Sequence, residues 1–105
     1  MSNLDLKMIK MLVPVAKYGI KCPYAMVPEF VTIHNTANDA SALAEISFMI
    51  GNWDEVSYHW AVDDVQAIQG IEHNSNGWHA GDGGKGTGNL TAMGIEICHS
   101  LTKGS

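Results

Sequence analysis

The sequence has 105 residues, a length that suits one domain and is too short for two. Hydrophobic residues make up 46% of it, which is enough for the core of such a domain. Six lysines, no arginine and 11 acidic residues give a formal net charge of −5. Nucleic-acid-binding domains normally carry a basic stripe with arginines, so this class is excluded. No apolar run approaches the roughly 18 residues of a membrane span, and we expect no membrane contact.

The first residues carry no recognisable targeting signal. Lys7 and Lys10 precede the apolar run "MLVPVA", which is too short for a secretory signal and is interrupted by Pro14. We therefore expect cytoplasmic synthesis without a signal peptide, and residues 1–12 to form a short amphipathic lead or a frayed terminus. Cys22 and Cys98 form no CxxC pair, so we expect free thiols.

The first half of the chain predicts an irregular segment, a strand and a helix. Three prolines and a glycine between residues 14 and 28 rule out one continuous helix there. "FVTIH", residues 30–34, alternates like a strand and ends at His34. The polar loop "NTANDAS" follows, and a helix over "ALAEISFMIGN" comes next, with an apolar repeat and a stop at Gly51. The candidate caps of this helix are Asn38, Asp39 and Ser41, and its candidate apolar face is Leu43, Ile46 and Ile50.

The second half predicts three strands and a long loop. "VSYHWAVDD" and "VQAIQGI" read as a hairpin with its turn at Asp63–Asp64. Residues 77–89 form a loop with six glycines that does not match the phosphate-binding pattern. "MGIEICHS" is the last strand, with Glu96 and Cys98 on one face and two isoleucines on the other. The fold class is therefore α/β, a mixed sheet of about four to five strands with a helix packed on it.

His34 and Glu96 are the two candidates for chemistry. A histidine at the end of a strand, before a polar loop, can offer a ring nitrogen to a metal or a substrate. A carboxylate in a partly desolvated cleft has a raised pKa, as a general base requires. The alternatives are a half-buried histidine bonded to the backbone and a glutamate on the solvated face of an edge strand.

Three aromatic or imidazole side chains are candidate substrate contacts. Tyr58 either lines a cleft or packs in the core. Trp78 and His79 open the glycine-rich loop, where an exposed tryptophan would offer a platform for a sugar or another ligand. The alternative is that this loop is a plain connection.

In this order, "FVTIHNTAND", "SYHWAVDD", "GWHAGDGGKGTGN" and "GIEIC" resemble the zinc-dependent N-acetylmuramoyl-L-alanine amidases of type 2, a fold also similar to peptidoglycan-recognition domains. The likeness is greatest to endolysin amidase domains of bacteriophages, and it spans residues 13–100. It implies hydrolysis of the amide between N-acetylmuramic acid and L-alanine in peptidoglycan, and hence bacteriolysis. It also implies His34 as a zinc ligand, Glu96 as the catalytic carboxylate, and Tyr58, Trp78 and His79 on the substrate side.

The sequence departs from the family pattern in its number of zinc ligands. The family holds zinc with two histidines and a cysteine or aspartate, and only His34 has a matching position here. Three protein ligands are the norm for catalytic zinc, and His59, His79 and His99 are candidates by residue type only. We therefore expect residues 1–105 to be the N-terminal part of one amidase catalytic domain. The other ligands would lie in a missing C-terminal segment or a second chain.

Two other functions are compatible with the sequence. A non-catalytic module that binds muropeptides would keep the cleft and lose the chemistry. An inactive remnant would retain neither. For the amidase and for the binding module, the expected partner is peptidoglycan rather than nucleic acid or a membrane.

Overall fold

A computed structural model of the chain describes residues 7–36, 40–80 and 87–98. The described residues form a five-stranded mixed sheet with the order β1-β4-β3-β5-β2. Its strands are β1 (Lys7–Lys10), β2 (Phe30–Asn35), β3 (Trp60–Val62), β4 (Gln66–Gln69) and β5 (Ala92–Ile97). Its helices are α1 (Tyr18–Lys21), α2 (Ala42–Gly51) and α3 (Thr87–Thr91), and a 3-10 turn at Val15–Lys17 precedes α1.

The sheet combines one hairpin with parallel pairs. β3 and β4 are antiparallel, as expected for the hairpin around Asp63–Asp64. β5 lies between β3 and β2 and runs parallel to both. β1 is added to the other edge, parallel to β4. The expected mixed sheet with a helix on it is confirmed, and its strand count is at the upper end of the expected range.

Helix α2 forms because its N-terminal end is capped and one of its faces is apolar. The Ser41 hydroxyl accepts a hydrogen bond from the backbone N–H of Ala44 at 3.2 Å. The Asp63 carboxylate of the hairpin turn accepts another from Ala42 at 2.9 Å. The helix packs on β3 and β4 through a buried face made of Ala42, Ile46 and Met49.

The buried stripe of α2 differs in part from the predicted one. Ile46 is fully buried and Ile50 half-buried, as expected, but Leu43 is 47% exposed. The reason is that Ala42 and Met49, each about one turn from Ile46, face the sheet in its place. Of the candidate caps, Ser41 fulfils the role, while Asn38 and Asp39 lie outside the described residues.

Two buried lysines hold the segment that follows α2. Lys21 is fully buried, and its ammonium donates to Asn52 Oδ1 at 2.7 Å and to the Val56 carbonyl at 2.9 Å. Lys17 donates to the Ile50 carbonyl at 2.8 Å and lies over the ring of Trp53. These cations satisfy carbonyl oxygens at and beyond the C-terminal end of the helix, where positive charge is favourable.

The core lies between α2 and the sheet, and the opposite sheet face carries exposed apolar side chains. Ala61 and Ile68 are fully buried against α2, and Cys22 and Cys98 are buried in the same cluster as unbridged thiols, as predicted. On the other face, Val31 and Ile33 are more than half exposed. Within the described part of the chain, no helix is long and apolar enough to cross a membrane.

Candidate active site

His34 and Glu96 lie next to each other on one face of the sheet. They are direct register partners on the parallel strands β2 and β5, and such partners project from the same face. Glu96 is also the register partner of Ala61, which is fully buried against α2. The imidazole and the carboxylate therefore project from the face that carries α2, beside that helix.

The environment of Glu96 raises the pKa of its carboxyl group. Partial burial is the main cause, and the charge of Glu45, on the first turn of α2, acts in the same direction. His34 opposes the shift. A half-buried carboxylate whose pKa is raised holds a proton more readily than an exposed one, and this is the property that a general acid or base uses.

The ring of His79 packs directly against His34. The two ring centroids are 5.5 Å apart in an edge-to-face arrangement, and His34 Nε2 lies 3.3 Å from His79 Nδ1. The other nitrogen of His79, Nε2, lies 3.0 Å from the carbonyl oxygen of Ala92 on β5. Both nitrogens of His79 thus have partners within the protein, and one of those partners is the candidate metal ligand.

Two residues that were not predicted from the sequence, Asn89 and Gly94, position His79. The side-chain oxygen of Asn89, on α3, accepts hydrogen bonds from the backbone N–H groups of His79 and Ala80 at 2.9 and 2.8 Å. Gly94 on β5 leaves room for the imidazole, because a Cβ at this position would lie 2.6 Å from His79 Cγ. A glycine inside an apolar strand often marks such a close approach, so a sequence signal for Gly94 existed.

His59 is fully buried and is fixed by two backbone groups. Its Nδ1 accepts a hydrogen bond from the Gly94 N–H at 3.0 Å, and its Nε2 donates to the Ser75 carbonyl at 2.7 Å. Burial lowers the pKa of this imidazole to about 4, helped by His79 and His73 and opposed by the bond to Ser75. His59 is therefore neutral near pH 7 and ties β5 to the segment around residue 75.

Tyr58 is buried next to the candidate site. It is 5% exposed and packs in the core cluster with Ile46 and Ala61. Burial raises the pKa of its phenol, and the charges of Glu45 and Glu96 add to the shift. Among the described residues the hydroxyl has no hydrogen-bond partner, so this neutral donor remains available near the carboxylates.

Trp78 is buried, whereas an exposed ring was expected from the sequence. The side chain is only 9% exposed, and its ring meets Tyr24 edge-to-face at 5.9 Å. The physical reason is that the backbone here is tied down: the Trp78 N–H donates to the hydroxyl of Ser57 at 3.0 Å. The Trp78 indole N–H has no partner among the described residues, and a role in substrate contact stays a prediction.

The described residues provide fewer donor side chains than a complete zinc site requires. In the described portion of the chain, no group of three or more His, Cys, Asp or Glu side chains could hold a metal ion. His59 and His79 use both ring nitrogens in contacts within the protein, and His99 lies outside the described residues. His34 differs, since its Nδ1 has no partner among the described residues, and a free imidazole nitrogen suits zinc.

Comparison with known proteins assigns the family. Residues 24–104 match the N-acetylmuramoyl-L-alanine amidase family, and the chain belongs to it. The N-acetylmuramoyl-L-alanine amidase CwlA of Bacillus subtilis (strain 168) is 57% identical over 101 residues, which is 96% of this chain and 37% of CwlA. XlyB of the same strain, also named an N-acetylmuramoyl-L-alanine amidase, is 58% identical over 95 residues, which is 90% of this chain and 30% of XlyB.

Solved structures share the fold. PlyL superposes with a TM-score of 0.84 and 52% identity, over 91% of this chain and 58% of the PlyL chain. The PlyG catalytic domain gives a TM-score of 0.84 and 53% identity, over 89% of this chain and 56% of that one. The predicted amidase fold is therefore confirmed. The chain spans little more than half of these solved chains and about a third of the two curated relatives.

Proposed function

We propose that this chain contributes the His34–Glu96 half of an amidase site that cleaves peptidoglycan between N-acetylmuramic acid and L-alanine, as in cell-wall lysis by an endolysin. Membership of the amidase family supports the reaction class. The observation that carries the residue assignment is the register pairing of His34 with Glu96 on the face beside α2. An imidazole and a carboxylate on adjacent strands are close enough to act on the same reacting group of a substrate.

In this proposal, His34 is one of the ligands of a catalytic zinc ion. Its Nδ1 has no partner among the described residues, which fits a metal ligand. A bound zinc ion would supply Lewis-acid polarisation of the amide carbonyl and a water of lowered pKa. The remaining ligands come from residues outside the described part of the chain, carried by a further segment or by a second chain, because the described residues hold no group of three donors.

Glu96 handles the proton. Its raised pKa favours exchange of a proton with the attacking water and with the leaving amine. Burial strengthens its interactions with polar groups, since the local dielectric constant is lower than in water. The Tyr58 hydroxyl, which is buried and unpartnered among the described residues, donates to the substrate or to the developing oxyanion.

Trp78 and His79 belong to the substrate side of the proposal through the loop that they begin. The Trp78 ring is buried, so its contribution is to shape the wall of the site rather than to form an open platform. His79 sits on the same sheet face as His34 and is half-buried. Peptidoglycan is the proposed partner.

A chimera tests the proposed function. The chain is expressed alone and also joined to the part of PlyL that it does not span, since the two share 52% identity and the same fold. We expect the chimera to hold one zinc ion and to release L-alanine N-termini from peptidoglycan. A folded chimera that holds zinc but leaves peptidoglycan intact would contradict the proposal.

The competing binding-module hypothesis predicts a different result in the same samples. Calorimetry with a muropeptide, with and without a chelator, measures binding separately from hydrolysis. Binding that ignores the chelator, together with no hydrolysis by the chimera, would favour a non-catalytic module. Zinc-dependent hydrolysis favours the amidase.

A further inference from the structure

The contact between His34 and His79 restricts which nitrogen of each ring carries a proton. The partner of His79 Nε2 is the carbonyl oxygen of Ala92, at 3.0 Å, and a carbonyl can only accept. His79 Nε2 therefore carries a hydrogen. In the neutral ring, His79 Nδ1 is then a lone-pair acceptor, and it faces His34 Nε2 at 3.3 Å.

The tautomer of His79 in turn determines which nitrogen of His34 carries the proton. With both rings neutral, His34 Nε2 must be the donor to His79 Nδ1. The lone pair of His34 then lies on Nδ1, the nitrogen without a partner among the described residues. In metal sites, a ligating histidine commonly donates its other ring N–H to a neighbouring acceptor, which fixes the tautomer and the ring orientation.

The position of His79 is determined independently of His34. Asn89 accepts hydrogen bonds from the backbone of His79, Ala92 accepts from its ring, and Gly94 provides the space that the ring fills. His79 is thus anchored to α3 and β5, whereas His34 is half-buried at the end of β2. The anchored acceptor, His79, can therefore orient the less confined donor, His34.

We propose that His79 is a positioning residue that accepts a hydrogen bond from His34 Nε2 and so presents His34 Nδ1 to the metal. This rests on the proposed role of His34 as a zinc ligand and adds the nitrogen that binds and the residue that selects it. His79 acts through His34 and needs no contact with the metal.

The test begins with the metal-free 105-residue chain, studied by long-range ¹H–¹⁵N NMR of the histidine rings. A free histidine side chain already favours the Nε2–H form, so the diagnostic signal is a His34 Nε2 proton protected from exchange with water. We expect this proton to be observed, with Nδ1 unprotonated. A His34 ring protonated on Nδ1, or without a protected Nε2 proton, overturns the proposal even if no variant folds.

Two nearly isosteric variants separate positioning from packing. In His79→Asn, the side-chain oxygen can occupy the place of Nδ1 and keep the acceptor. In His79→Leu, a methyl group stands there and the acceptor is lost. Both variants lose the ring and its bond to Ala92, so a purely structural role would affect them equally. We expect the protected proton to persist in the asparagine variant and to disappear in the leucine variant, and a proton that persists equally in both would overturn the proposal.

Zinc affinity of the chimera gives a second readout. Loss of such an outer partner typically costs about 10- to 100-fold in metal affinity, so we expect this for His79→Leu and a smaller loss for His79→Asn. Equal losses would contradict positioning. The NMR experiment uses neither zinc nor substrate, so its failure leaves the proposed hydrolysis untouched. Conversely, an inactive chimera would count against the proposed hydrolysis without changing the NMR result for the His34 proton.

Discussion

His34 on β2 and Glu96 on β5 are direct register partners in a parallel pair, and both project from the sheet face that carries α2. Among the described residues, no group of three or more His, Cys, Asp or Glu side chains could hold a metal ion, so in our proposal His34 supplies one of the ligands. In the same proposal, Glu96, whose pKa is raised by burial, exchanges the proton. The two roles can therefore be separated by substitution.

In the chimera with the remainder of PlyL, we expect His34→Ala to lose zinc and Glu96→Gln to keep it. Removing one of three ligands weakens the metal site, whereas replacing a general base costs typically about 10²- to 10⁴-fold in turnover without touching a ligand. Zinc content by atomic absorption and the rate of L-alanine exposure are the two measurements. Equal loss of zinc in both variants would show that the roles are assigned wrongly.

Gly94→Ala is expected to disturb His79 directly. The added methyl group would lie 2.6 Å from His79 Cγ, so the imidazole must move. Overpacking of this kind costs about 1–3 kcal/mol in the free energy of unfolding, and the protected His34 proton should be lost as well. Urea denaturation of the 105-residue chain measures the first effect and ring NMR the second.

Gly19→Ala is the matched control for this substitution. A Cβ at Gly19, in α1, meets no heavy atom within 4 Å, and alanine is the better helix former. We expect unchanged or slightly increased stability and a wild-type ring spectrum. If both alanine variants behave alike, the close approach of His79 to β5 does not exist in solution.

The sequence was informative where local patterns decide the structure. The alternation of residues 30–34, the capped helix after Ser41 and the hairpin at Asp63–Asp64 were all predicted and are present. The alternation of side chains along β5 also predicted that Glu96 projects from the opposite face to Ile95 and Ile97. These features depend on spacing and on turn chemistry within a few residues.

The remaining features depend on contacts between distant parts of the chain. β1 was expected to be an amphipathic lead or a frayed end, and it forms a strand because β4 offers a parallel edge. α3 begins within a glycine-rich stretch, where propensity argues against a helix. The contact of His79 with His34 depends on Asn89, Ala92 and Gly94 together, and no periodicity encodes that arrangement.

His59 should make the fold less stable as the pH falls. Its pKa is about 4 in the folded chain and about 6.5 when unfolded, so the unfolded state takes up a proton first. The stability from keeping His59 neutral is complete above pH 6.5 and is lost as the pH falls towards 4, by roughly 3 kcal/mol. Urea denaturation at several pH values between 4 and 7 measures the slope.

The control for this prediction is His59→Asn, whose side-chain oxygen can still accept from the Gly94 N–H. The variant is less stable at pH 7 because it lacks the bond to Ser75, but its dependence on pH should be shallower. The other histidines are present in both proteins, so the difference between the two slopes isolates His59. Parallel slopes would mean that His59 is not buried as a neutral ring.

Lys21→Met should destabilise the chain more than Lys17→Met. Lys21 is fully buried and donates to Asn52 Oδ1 and to the Val56 carbonyl. The substitution removes both bonds, and Asn52 Oδ1 keeps only the one from the Asp54 N–H. We expect a loss of about 2–4 kcal/mol. Lys17 has one such bond, to Ile50, so about 1–2 kcal/mol is expected there. Equal losses, measured by chemical denaturation, would contradict the greater role of the Lys21 ammonium.

Anomalous diffraction at the zinc edge, from crystals of the chimera, locates the metal relative to His34 and Glu96. We predict one peak about 2.0–2.1 Å from the ring of His34, on the sheet face shared with Glu96. A zinc ion held entirely by other side chains, with His34 directed away from it, would disprove the role of His34 as a ligand.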